Sequence, residues 1–160
     1  MNAPAEKSTA FRAIVTAWLV VGTLDITSAI AIWLSRGKTL IRGFQTIASG
    51  LIGAKSYEGG LATALLGLAI HFLIALIVVA IFYAASRTVR FLTEYAAVSG
   101  VFYGIIVYLV MYWIVLPTTF PMFRHRLGNG LLELIIHIVL IGLVTALMVR
   151  RFSRLEEEAR

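Results

Sequence analysis

Four stretches of the chain, 11–34, 61–85, 95–116 and 130–149, are continuous apolar runs, each near the ~20 residues that a helix needs to cross about 30 Å of hydrocarbon. They lack the period-two alternation of barrel strands, so each predicts a helix whose backbone polar groups are satisfied within itself. The expected fold is therefore an all-α integral membrane protein: a four-transmembrane-helix bundle forming one membrane domain over 1–160. With 14% charged residues, against about 25% in ordinary soluble domains, the chain has no stretch left to build a separate soluble core.

The first run differs from a secretory signal. It is longer than the roughly 7–15 apolar residues of a signal core, and Arg36–Gly37–Lys38 follows it where small residues would be needed. Pro117 and Pro121 are expected to end the third span, and Gly128 and Gly130 to open the fourth.

The formal charge of +6 comes from Lys and Arg that lie almost entirely beside or between the apolar runs. Cations so placed set topology and meet lipid headgroups; the partner they imply is the bilayer, and no nucleic acid is called for. Eight of them fall in the N-terminus, the 86–94 loop and the C-terminal tail, and six in the 35–60 and 117–129 loops. That bias predicts cytoplasmic termini for a multi-pass protein. The absence of cysteine removes disulfides, thiolate metal sites and cysteine-held iron–sulfur clusters from consideration.

Between the first two spans, Leu40, Phe44, Ile47 and Leu51 fall on one stripe of a helix. The 39–53 segment reads either as an interfacial amphipathic helix or as a re-entrant piece in which Gln45, Thr46, Ser49 and Gly50 give polar access to a pore. Gly100 and Gly104 form a GxxxG pair suited to close helix contact, within the monomer or across a homo-oligomer. Trp18, Trp33, Tyr95, Tyr112 and Trp113 read as interfacial anchors.

Chemistry is concentrated in a few polar residues inside the spans. A carboxylate at mid-helix costs about 2.5–3.5 kcal/mol on insertion scales and normally faces the bundle interior with a partner, which makes Asp25 the most informative position. Measured from the face carrying the 35–60 and 117–129 loops, Asp25 lies about 13 Å deep, His71 about 15 Å, Tyr108 about 12 Å, His137 about 10 Å and Glu133 about 5 Å. All four helices thus contribute to one polar layer, with Glu133 and His137 one turn apart on the fourth.

Three readings fit such a layer. It can be a hydrogen-bonded network that fixes helix packing. It can be a proton or cation site, because a histidine beside a carboxylate in low dielectric can hold or pass a proton. Or it can bind a metal or haem, with His71 and His137 as nitrogen ligands and Glu133 and Asp25 as further candidates, although no cofactor is favoured. A di-iron site of the ferritin-like kind needs Glu-x-x-His twice, whereas Glu133-x-x-x-His137 occurs once. Ser28, Ser49 and Ser99 lack a nucleophile-elbow context, and no loop has phosphate-binding glycine spacing. The expectation is a non-enzymatic protein handling protons or cations. An accessory subunit of a larger membrane complex is the alternative, and a haem- or metal-binding redox protein the third.

Residues 70–152 resemble the YagU-type bacterial inner-membrane proteins associated with acid resistance. The similarity lies in His71 opening an apolar helix, the third span with Gly100 and Gly104 ending at a proline, and Glu133-x-x-x-His137 followed by an apolar run and Arg150–Arg151. It implies a multi-pass protein of a bacterial inner membrane that is linked to proton stress, and supplies no catalytic residue. Asp25 and the 45–53 stretch fall outside it.

Overall fold

The computed structural model describes the backbone of residues 3–119 and 130–158, and among these every regular element is helical. Helix α1 runs Ala3–Ser35, α2 Leu40–Ile52, α3 Gly60–Ser86, α4 Phe91–Glu94 and α5 Ala96–Thr119. The last helix, α6, is built from Gly130–Ile136, a wider π segment His137–Leu143, and Val144–Glu158. The stretches Ala10–Ser35, Gly60–Ser86, Ala96–Thr119 and Gly130–Leu155 are each long and apolar enough to cross a membrane. The protein is an all-α, multi-pass membrane bundle.

Local chemistry explains the first turn. Gly37 adopts φ +70°, and Lys38 N–H donates to the Trp33 carbonyl at 2.9 Å while Gly37 N–H donates to Leu34 at 3.0 Å. This Schellman pattern satisfies the last carbonyls of α1 and depends on the left-handed glycine. Two residues later the Thr39 side chain accepts from Arg42 N–H at 3.3 Å and caps α2.

The interior is thin and, Phe82 apart, made of small or slender side chains. Ala17, Val21, Val79, Val107 and Ile141 form one buried cluster, and Phe82, Ala96, Ala146 and Val149 form a second. Large apolar residues such as Leu19, Leu65, Leu73, Ile77, Phe102, Ile106 and Val139 are instead exposed along the spans. A soluble domain would hide that surface; lipid solvates it.

Close contact is concentrated where α5 crosses α6. A Cβ on Gly104 would stand 2.5 Å from the His137 carbonyl oxygen, and one on Gly142 would collide with the carbonyl of Gly100. The GxxxG pair is therefore used inside the monomer, against the π segment of α6.

One sequence expectation changes here. Pro117 does not end the third span, because the helix continues to Thr119 after widening into a π segment at Val110–Val115. Proline lacks an N–H and its ring crowds the carbonyl four residues back; the wider turn, in which Leu116 N–H reaches Met111, relieves that conflict. In α2, Phe44 and Ile47 of the apolar stripe are half-buried. Gly43, Gln45 and Ala48 are buried, whereas Leu40 and Leu51 are exposed, because α2 packs so closely on Gly67 of α3 that only small or hydrogen-bonded groups fit there. Pro121 and Gly128 lie outside the described residues.

Candidate functional site

Asp25 sits about two-thirds of the way along α1 and faces His71 of α3, with Oδ2 3.9 Å from Nδ1. Their side chains are 27% and 11% exposed, so the pair is largely removed from solvent. On its other edge, His71 Nε2 lies 3.0 Å from the Gly22 carbonyl. A carbonyl only accepts, which places a proton on Nε2 and leaves Nδ1 as the nitrogen that faces the carboxylate. The Trp18 indole N–H makes the reciprocal contact, donating to the Phe72 carbonyl of α3 at 2.7 Å. The Phe72 ring packs over Gly22, where a Cβ would come within 2.8 Å of it. Helices α1 and α3 are thus joined by two side chains that each reach the other's backbone, with the Asp25–His71 pair beside that joint.

The α5–α6 half of the layer is aromatic. Tyr108 and Tyr112 stack with centroids 4.7 Å apart, and the His137 ring meets both edge-on, at 5.6 and 5.8 Å. His137 Nδ1 donates to the Glu133 carbonyl one turn back at 2.7 Å, which fixes the tautomer. Its Nε2 has no hydrogen-bond partner among the described residues and remains an acceptor. Both His71 and His137 are within electrostatic reach of Asp25.

Above the layer, near the loop face, Glu133 Oε1 stands 3.8 Å from Arg36 Nη2 at the end of α1. Glu133 Oε2 is buried and has no hydrogen-bond partner among the described residues. A carboxylate oxygen so placed retains full capacity to accept a proton or a donor.

The residues of the expected layer are divided in contact. Asp25 meets His71, Tyr108 meets His137, and Glu133 turns upward to Arg36. Glu133 and His137 share a hydrogen bond through the Glu133 backbone, leaving its carboxylate free of the ring. Among the described residues no three His, Asp or Glu side chains converge as a metal-holding set, so His71, His137, Glu133 and Asp25 do not form a common ligand cage.

In α2, Gln45 is buried and its Nε2 donates to the Gly60 carbonyl at 3.0 Å and to Thr63 at 3.3 Å. Thr46 and Ser49 donate to carbonyls of their own helix, Arg42 and Thr46 respectively, and Gly50 is half-buried. Their polar capacity is thus engaged in building the α2–α3 corner. Beside it, the Arg42 guanidinium lies 3.9 Å over the Tyr57 ring. Partial burial opposes ionisation of that phenol, but hydrogen bonding to Thr46 and Ser49 and the charges of Arg42 and Lys38 outweigh it, and hold it below its ordinary range.

Sequence reading missed three contributors. Arg36 read as a topology charge, although it stands opposite Glu133. Tyr112 read as an interfacial anchor, yet its i, i+4 relation to Tyr108 already placed both rings on one helix face. Trp18 read the same way, and nothing local signalled its bond to α3. Comparison of the chain with protein-family models, curated proteins and solved structures finds no match.

Proposed function

We propose that the protein handles protons, or a cation exchanged for them, without covalent catalysis, and that Asp25 and His71 are the primary carriers. The observation that carries this reading is the direction in which His71 is committed. With Nε2–H bound to Gly22, the Nδ1 lone pair and the Asp25 carboxylate would repel one another across 3.9 Å unless a proton sits on one of them. The pair is organised around that proton. The separation exceeds the 2.7–3.2 Å range of a hydrogen bond, so transfer requires the two groups to close by about 1 Å or to be bridged by water. His137 Nε2 and the unpartnered Oε2 of Glu133 are the next acceptors toward the loop face, and Arg36 stands at that end as a counter-charge.

The resemblance of residues 70–152 to acid-resistance proteins points toward the same chemistry. The distribution of Lys and Arg supports cytoplasmic termini, and the same resemblance supports placement in a bacterial inner membrane. A packing-only role is favoured by the reciprocal Trp18 and His71 bonds, which would join α1 to α3 whether or not a proton moves.

Proteoliposomes separate the two. Under an imposed pH gradient the protein should dissipate the gradient faster than empty vesicles, and Asp25→Asn should abolish the difference while the protein remains folded. Flux indifferent to that substitution would defeat the proton reading and leave the packing role.

A further inference from the structure

The arginines at the far end of α6 form a surface that the polar layer does not use. Leu147, Arg151 and Leu155 follow one another at i, i+4 spacing, with Arg150 and Arg154 on the adjacent stripe. Together these five line an open concavity of about 510 Å³. Leu147 and Leu155 are about half exposed, and Arg151 and Arg154 are exposed. None of the three guanidiniums makes an ion pair or side-chain hydrogen bond to another described residue. Arg150 comes twenty residues after Gly130, about 30 Å along the helix, so the concavity lies at the opposite membrane face from the Glu133–Arg36 pair. The acidic run Glu156–Glu157–Glu158 follows on the same helix, farther from the apolar stretch.

We infer that this concavity is a binding site for the headgroup of an anionic phospholipid. Guanidinium forks match phosphate oxygens in geometry and charge. Their place in the first turn beyond the apolar span is the depth at which a lipid phosphate lies, and exposed Leu147 lets the attached acyl chain continue along the helix. A free phosphate would meet the same charges but leave the apolar part of the surface unused. The occupant is therefore a lipid, and charge complementarity selects an anionic one.

The test is lipid retention by the purified full-length chain in neutral detergent, read by native mass spectrometry with phosphatidylglycerol and phosphatidylcholine of equal chain length. Phosphatidylglycerol should be preferred on the order of tenfold to a hundredfold. The triple variant R150Q/R151Q/R154Q should lose that preference, and Arg151→Gln alone should lower it several-fold, which guards against misfolding of the triple variant. The control R87Q/R90Q, in the 86–94 loop at the same membrane face, should retain it. Equal retention of the two lipids, an unchanged preference in the triple variant, an equal loss in the control, or displacement of the lipid by excess inorganic phosphate would each overturn the assignment.

Discussion

Trp18 and His71 illustrate how a bundle with a thin core is held together. Each donates to a main-chain carbonyl on the facing helix, at 2.7 and 3.0 Å, in surroundings where a lost partner is not readily replaced by water. Contacts of this kind are worth about 0.6 kcal/mol on average and up to about 1.7 in membrane proteins. Trp18→Phe, which keeps ring bulk and removes the N–H, should therefore destabilise the protein by about 1 kcal/mol in reversible unfolding from mixed micelles; a neutral result would mean the carbonyl finds another donor. Gly142→Val should cost more, about 1–3 kcal/mol as an overpacked contact, because its Cβ would meet the backbone of α5. At this scale the sequence was partly legible. Asp25 and His71 stood out because ionisable groups inside spans need partners, and the GxxxG pair because small residues permit contact. Trp18 and Arg36 did not, since their bonds depend on which helix comes to face them.

The two π segments belong to the scale of elements. That of α5 lies immediately before Pro117, and that of α6 begins at His137 and lies against Gly100 and Gly104. Pro117→Ala restores the missing N–H, so the α5 segment should relax toward ordinary α-helix and turn the residues that follow it. Hydrogen exchange across Val110–Val115 should report this as increased protection, and an unchanged pattern would show that packing, not proline, sets the wide turn. Helix α2 offers a second case. Gln45→Leu would remove the buried amide that donates to the Gly60 carbonyl and to Thr63, while the Thr63 hydroxyl still reaches that carbonyl, and should destabilise the α2–α3 corner by about 0.5–1.5 kcal/mol, with faster exchange confined to residues 40–57. Helix boundaries were legible to within a few residues at the ends of α3 and at the start of α6, where apolar runs stop abruptly. The inward face of α2 was not, because an apolar stripe marks the side that a helix can turn to lipid and does not say which small or polar residues, here Gly43, Gln45 and Ala48, meet the neighbouring helices.

Across the whole molecule, four spans put the 35–60 connection on one side of the membrane and the 86–94 loop on the other. The natural lack of cysteine makes this directly measurable. In sealed vesicles, single cysteines replacing Lys38 or Lys55 should react with a membrane-impermeant maleimide from the same side, and one replacing Thr88 only from the opposite side. Labelling of all three from one side would remove a span. The division of the polar layer also appears only at this scale. Rise per residue placed Asp25, His71, Tyr108 and His137 at similar depths, but depth says nothing about azimuth. Asp25 and His71 meet where α1 packs on α3, Tyr108 and His137 where α5 packs on α6, and Glu133 reaches from α6 to Arg36 at the end of α1.

The proposed function rests on one proton shared by Asp25 and His71, and nitrogen NMR of the His71 ring in lipid, recorded across pH, observes it most directly. Nε2 should remain protonated and hydrogen-bonded throughout, and the Nδ1 signal should change when Asp25 is replaced by Asn. A ring protonated on Nδ1 with Nε2 bare, or an Nδ1 signal indifferent to Asp25→Asn, would contradict it.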